Sequence, residues 1–430
     1  MLFLSPPAQI EEAPAQAPLP LDMASALNRA RAENPNLRAA KARVEERRGL
    51  ITTVRADAMP QLTLIGDFTR IRDVSILNSG FGEAAAGLGF DPTSLVAPRT
   101  VYTTNAMVSQ PLFYWGKLGT AIEVAKMGEM EANYGFTTAE LEILHGVAKA
   151  YLAVLSTQAE LEVVESRQRT AERFLSDVKS KLEAQTATEL DRLRAESEYL
   201  AVVPESLQAK ANHQRAMEVL NGQLGLDPKT PLKLADLGLP TVGEKQTGAV
   251  RSEIAQLKQQ EAMYLANDRI IKSDLRPKFD FNASYGYQAG KTQNLFKEPY
   301  DTWKVNISMR FPIFDGLRSS GKRAQNNAQL EQVRQMRVDK ERAIAVEKST
   351  AEREMEKAIA FHQAAKKAYD AGLEALRMSR EAFDQGLITS LDLLQAERTE
   401  RQLESQRRRA ELGLWAARFD NRRALGLAPL

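Results

Sequence analysis

Hydrophobic and polar positions along this chain change period several times, and the changes recur. From 22 to 58, Leu27, Ala30, Leu37, Ala40 and Val44 repeat at helical spacing, and Pro60 stops that helix. Gln61 to Arg70 then alternates, with Leu62, Leu64 and Phe68 on one side and Gln61, Thr63, Asp67 and Thr69 on the other. This predicts a strand. Residues 72–100, rich in Gly, Ser, Ala and Pro, read as a long loop. Val101 to Gln110 follows as a second, less cleanly alternating strand that Pro111 ends.

From Lys117 to about Gln185 no proline occurs and charges are dense. At 1.5 Å per residue this predicts one helix of ~100 Å, beyond ordinary globular length and suited to coiled-coil packing. A turn at Thr186 to Thr188 leads into a returning helix that ends near Gly222, with an interruption or bend expected at Pro204. Residues 225–250 hold three prolines and several glycines and read as a linker or small side element.

The plan then restarts. Ile254 to Pro277 repeats the spacing of Leu37 to Pro60. Lys278 to Gln288 places Phe279, Phe281, Ala283, Tyr285 and Tyr287 on one face, and Trp303 to Phe311 alternates as clearly. Pro312 matches Pro111 at an offset of 201, and Leu425, Gly426 and Leu427 repeat Leu224, Gly225 and Leu226. At the same offset Thr188, Leu190, Asp191, Ala195 and Glu196 match Thr389, Leu391, Asp392, Ala396 and Glu397. The expected division is a disordered lead-in or clipped export signal at 1–21, a first repeat at 22–224, a linker or equatorial element at 225–250 and a second repeat at 251–427. The expected strands are 61–70, 101–110, 278–288 and 303–311, and the helical hairpins 117–222 and 317–424.

Composition narrows the function. With 58 basic against 56 acidic residues, mixed rather than blocked, the net charge of +2 gives no footprint for nucleic acid. The chain has no cysteine, which excludes zinc fingers, thiol catalysis and a cysteine-linked lipid anchor. No run of ~18 apolar residues exists to span a membrane as a helix. Strands of about ten residues, apolar on one face, instead suit a transmembrane barrel. Four strands cannot close, because the smallest such barrels have about eight and an open edge cannot sit in lipid. The strands must then be pooled in an oligomer. The bland counter-reading is a soluble sheet over a core, which leaves the two long helices with nothing to cover.

The element order, the duplication and the turns TELDRLRAE and GLITSLDLLQAE resemble the TolC family of outer-membrane efflux channels, from about Leu21 to Leu427. The resemblance implies an α+β membrane protein: a homotrimer with a twelve-stranded β-barrel in outer-membrane lipid, continued by a periplasmic α-helical barrel. That tunnel would stay closed until a periplasmic adaptor (a membrane fusion protein) and an inner-membrane transporter engage. It also implies adaptor contact at Gln385, Gly386, Leu387 and Ile388, and at Gln185, Thr186 and Ala187 in the first repeat, which lacks the glycine. Some members carry carboxylate rings after the second tip. Asp392 occupies the first such position, Gln395 stands where a second acid would be, and Asp191 is the first-repeat counterpart. Equally, Asp392 and Asp191 lie three residues after Thr389 and Thr188, where an acid caps a helix.

Two other classes were weighed. A soluble periplasmic coiled-coil adaptor would carry one hairpin rather than two with their strands. A helical-bundle metalloenzyme would need two Glu-x-x-His pairs, and only Glu142 with His145 fits; His213 and His362 stand apart. No nucleotide loop or nucleophile elbow occurs, so the reading is of a protein that is not an enzyme and takes no cofactor or metal.

Overall fold

The computed structural model describes residues 18–72, 74, 80, 84, 87–89, 99–240, 250–385, 387–388 and 390–430. Its elements run β1 (Leu19–Leu21), α1 (Met23–Glu33), α2 (Pro35–Ala56), β2 (Gln61–Ile71), β3 (Arg99–Phe113), α3 (Lys117–Glu183) and α4 (Glu189–Gln223). Then follow β4 (Leu232–Leu234), α5 (Ser252–Ser273), β5 (Lys278–Ala289), β6 (Asp301–Arg310), α6 (Arg318–Asp384) and α7 (Ser390–Ala424).

The duplication holds residue for residue. The hairpin helices α3 and α6 each have 67 residues, α4 and α7 each have 35, and both pairs are offset by 201. The earlier helices α2 and α5, 22 residues each, are offset by 217. The 16 extra residues of the first repeat therefore fall in its strand-to-strand connection. Both strand-to-helix turns place two consecutive residues at positive φ, Trp115 (53°) with Gly116 (75°), and Gly316 (66°) with Leu317 (64°). Glycine carries one of those two positions in each copy, and the other is paid for in backbone strain.

Four expectations are corrected. Pro111 does not end the second strand, since β3 continues across a bulge to pair Phe113 with Phe279. The N-terminal helix breaks at Asn34, whose side chain caps α2 through the Asn36 and Leu37 amides (2.9 and 3.3 Å), with Pro35 suited to a first helical position. Helix α4 runs unbroken through Pro204, its neighbours Val202 and Ser206 buried. The lead-in read at 1–21 includes a strand, because Leu19 and Leu21 pack on a core and β1 pairs in parallel with β4. Most of the expected loop at 72–100 lies outside the described residues.

The residues group into two compact units. One takes the described chain up to Arg43 with Asn133–Ala255 and Arg337–Leu430. Its core joins α1, α3, α4 and α7 around the fully buried Tyr151, Phe419, Leu144 and Leu220. The Tyr151 hydroxyl donates to the Ala235 carbonyl (2.6 Å), and the Trp415 indole donates to that of Gly238 (2.8 Å).

In this unit each repeat also closes on itself. Buried Asn34 donates to the carbonyl of Gln223, the last residue of α4 (2.8 Å). At the equivalent place buried Arg251 donates to the carbonyls of Arg423 and Ala424 at the end of α7 (3.2 and 3.1 Å). Arg251 also pairs with Glu253 (2.5 Å) and with Glu347 of α6 (3.1 Å). Helix C-terminal carbonyls lack intrahelical partners, so both side chains satisfy groups that would otherwise be orphaned.

The other unit takes Val44–Ala132 and Gln256–Met336. It holds an antiparallel four-stranded sheet ordered β2-β3-β5-β6. Strands of different repeats meet at β3–β5, where a Cβ on Gly286 would lie 2.0 Å from the Thr104 carbonyl oxygen, so glycine permits the close pairing.

Replacing Arg251 by Met leaves two carbonyls and two carboxylates without their donor. A loss of about 3 kcal/mol is expected, against about 1 kcal/mol for Asn34→Ala; equal thermal unfolding shifts for the two variants would refute the comparison. Burial opposes the Glu253 carboxylate, but the bonds from Arg251 outweigh it and lower its pKa. Its folded value being depressed, this contribution is present at neutral pH and fades as pH falls below the ordinary glutamate value of about 4.3.

Candidate functional site

Three features compose the candidate site: the two hairpin turns and the sheet. In the first turn the amides of Thr186 and Ala187 reach back to the carbonyl of Lys181 (2.8 and 3.2 Å). Gln185 takes the left-handed φ of 59° that such a helix end demands. Gln185 is the 201-offset counterpart of Gly386, so the first repeat achieves the same closure without a glycine. Thr188 then begins α4 with a capping box: the Asp191 amide donates to Thr188 Oγ1 (3.2 Å), and Thr188 N–H donates to Asp191 Oδ2 (3.0 Å). The Thr188 hydroxyl adds a 2.6 Å bond to the same carboxylate. These bonds hold the Asp191 pKa below the ordinary aspartate value. Arg192 beside it pairs with Glu189 and Glu196 (2.6 and 2.8 Å).

In the second turn the Leu387 amide donates to the Ala382 carbonyl (2.8 Å), the counterpart of the Thr186–Lys181 bond. Leu387 is 72% exposed, Gln385 is exposed and Ile388 is half-buried. Gly386 and Thr389 lie outside the described residues. Asp392 stands in the first turn of α7 with its side chain exposed, and Gln395 one turn on is exposed too. The adjoining sequence differs between copies: Asp191 is followed by Arg192 and Arg194, Asp392 by Leu393 and Leu394. Across this hairpin Arg380 meets Glu397 (3.5 Å).

The sheet's register settles which side chains share a face. One face carries the rows Leu62–Val108–Ala283–Val305 and Leu64–Ala106–Tyr285–Trp303, and Phe68 beside Tyr102. The opposite face carries Thr63–Met107–Ser284–Lys304 and Gln61–Ser109–Asn282–Asn306. The apolar face is bare: Leu62, Leu64, Trp303 and Ile307 are each 66–75% exposed. Aromatic rings gather at both strand ends, Phe68 with Tyr102 (5.3 Å) and Tyr285 with Tyr287 (5.9 Å) at one, Phe113 with Trp115 (5.0 Å) at the other.

The histidines stay apart. His145 bonds Asp420 (2.7 Å), which Lys149 also holds (2.8 Å), while His213 meets Thr157 (3.2 Å) and His362 lies 4.0 Å from Glu411. Among the described residues no three metal-ligating side chains gather. Nor is any helix among them long and apolar enough to cross a membrane. Sequence reasoning missed the left-handed Gln185 and the carbonyl-binding pair Asn34 and Arg251. Writing the two repeats one above the other would have flagged Gln185, aligned with a glycine.

Comparison with known proteins gives one consistent family. The family model described as outer membrane efflux protein matches residues 26–226 and 245–426. The pyoverdine export outer membrane protein OpmQ of Pseudomonas aeruginosa is 25% identical over a stretch covering 73% of this chain and 65% of its own, just under two thirds of that relative. The outer membrane protein TolC of Vibrio cholerae is 21% identical over 88% of this chain and 84% of its own. Among solved structures, the Campylobacter jejuni CmeC outer membrane channel superposes with a TM-score of 0.77 at 14% identity, covering 94% of this chain and 85% of that one.

Gln185→Gly relieves the left-handed strain of the first turn and should stabilise that hairpin by about 1 kcal/mol. Slower hydrogen exchange at the end of α3 is the readout, and faster exchange would show that Gln185 contributes contacts worth more than the strain. The Asp191 pKa being depressed, the cap is intact at neutral pH and loosens as pH falls through that lowered value.

Proposed function

The chain belongs to the outer membrane efflux protein family, and from that membership and the geometry of its sheet we propose that three copies build one passive exit duct through a Gram-negative outer membrane. The carrying observation is the four-stranded sheet whose apolar face is bare and whose outer strands, β2 and β6, each have an edge that pairs with no other strand among the described residues. Hydrocarbon tolerates no open edge, and three such sheets edge to edge give twelve strands, within the range of closed barrels. The polar face then lines the lumen, and the long helical hairpins stand in the periplasm as a continuing helical barrel.

Export through such a duct is driven from elsewhere, since the sequence carries no G-x-x-x-x-G-K-S/T loop for a nucleotide. An inner-membrane transporter supplies the energy, and a periplasmic adaptor joins it to the hairpin turns. Exposed Leu387, with Gln385 and Ile388 beside it, is the proposed contact for that adaptor, together with Gly386, which lies outside the described residues; Gln185, Thr186 and Ala187 form the quieter first-repeat tip. Around a threefold axis, three copies of Asp392 make a ring of negative charge at the tunnel mouth. Asp392 is proposed ahead of Asp191 because two arginines follow Asp191 closely, where two leucines follow Asp392. Gln395 adds no second ring of charge.

The adaptor reading predicts a protein that remains monomeric in water without detergent. The duct reading predicts a detergent-solubilised trimer that gives discrete conductance steps in planar bilayers. Divalent cations should block those steps, and Asp392→Ala should raise the half-blocking concentration about tenfold, the scale of a lost 1.4 kcal/mol. An unchanged block in that variant would confine Asp392 to helix capping.

A further inference from the structure

At the feet of the strands, where all four join their helices, the Arg276 guanidinium lies beside the apolar face. Register pairs Phe113 with Phe279 and Phe279 with Met309, so these three share the apolar face. Trp115 rests on Phe113 with ring centroids 5.0 Å apart, and its indole N–H is fixed by the Pro277 carbonyl (2.6 Å). The Arg276 guanidinium lies 5.0 Å above that indole. Arg276 is exposed and has no acidic partner among the described residues. Lys278, two residues after Arg276, and Lys117, two residues after Trp115, both pair with Asp274 (3.2 and 2.6 Å).

We propose that Arg276, held by Trp115 at the lower rim of the apolar face, is an anchor for the phosphate headgroup of an anionic phospholipid in the periplasmic leaflet. The inference rests on reading the apolar face as the lipid-facing one. Continuity argues for it: below the Phe113–Phe279–Met309 row, hydrocarbon gives way to headgroups, and there a fixed planar cation meets phosphate oxygens bidentately. Stacking on the indole restricts the guanidinium beforehand and leaves its N–H edge outward. The duplication supplies an internal comparison. Met59, 58% exposed, is the first-repeat counterpart of Arg276, and Gly316 is the counterpart of Trp115. The anchor therefore occurs once per chain and three times in a trimer.

The test uses the full-length protein in a Trp303→Phe background, leaving Trp115 as the lipid-accessible indole because Trp415 is buried. Quenching by brominated phosphatidylglycerol is compared with quenching by brominated phosphatidylcholine in reconstituted vesicles. Phosphatidylglycerol should bind about fivefold more tightly near Trp115, less so at high salt, as expected for one basic side chain at a charged surface. Arg276→Gln should bring the ratio to one, and Arg276→Lys should retain part of the preference. A ratio unchanged by Arg276→Gln, or a ratio of one in the parent, overturns the anchor. Bilayer conductance separates the two readings: steps with no lipid preference sink the anchor alone, whereas a parent protein without steps sinks the duct.

Discussion

In hydrocarbon a backbone amide has no water to turn to, so every N–H and C=O of a membrane strand must find another strand. This requirement governs the molecule. Within the sheet it is met at three interfaces in unbroken antiparallel register, apart from one bulge between Pro111 and Phe113. At the outer edges of β2 and β6 a single chain cannot meet it. The side chains repeat the message in another form, since Leu62, Leu64 and Trp303 lie open where a soluble sheet would bury them. On the proposed reading, lipid covers that apolar face and further copies pair with those edges.

The second organising constraint is duplication, and its arithmetic is informative. Because the offset changes only between the paired strands, the hairpin helices were free of insertions and kept identical lengths. Long packed helices tolerate such changes poorly, since one extra residue rotates every later side chain by about a quarter turn. A strand-to-strand connection absorbs sixteen residues without disturbing register. The buried core of the first unit, by contrast, is not duplicated. Tyr151 corresponds to Glu352, and Trp415 and Phe419 correspond to Gln214 and Glu218. One core assembled from α3 of the first copy and α7 of the second thus ties the repeats into a single unit.

Most of this was legible in the chain itself. The strands β2, β5 and β6 announced themselves through period-two alternation, and β3 less so, because Val101 and Met107 put apolar groups on the polar face. Pairing decided its orientation, and pairing is not a local property. At Pro204 the interruption did not occur for a related reason: a proline removes one hydrogen bond from a helix, and Val202 and Ser206 on either side are buried and hold it in place. The short strand β1 was hidden because three residues carry no period, and its partner lies more than two hundred residues away. Arg251 was invisible for the same reason, as a lone arginine in a charged chain gives no sign that it will end buried against helix carbonyls.

What distinguishes the two copies is side-chain chemistry laid over one backbone plan. At each equivalent station the second copy differs in charge or in conformational freedom: Arg251 for Asn34, Arg276 for Met59, Gly386 for Gln185. At the turn the contrast is sharpest. The first-copy carboxylate, Asp191, is spent on its own helix cap and flanked by Arg192 and Arg194, so little of its field extends outward. The second-copy carboxylate is exposed in the first turn of α7 and is followed in sequence by two leucines rather than by arginines. Duplication had supplied two interchangeable hairpins. One backbone plan thus carries a neutral asparagine at the base of the first hairpin and a buried ion pair at the base of the second, with two arginines after the acid of the first turn and two leucines after that of the second.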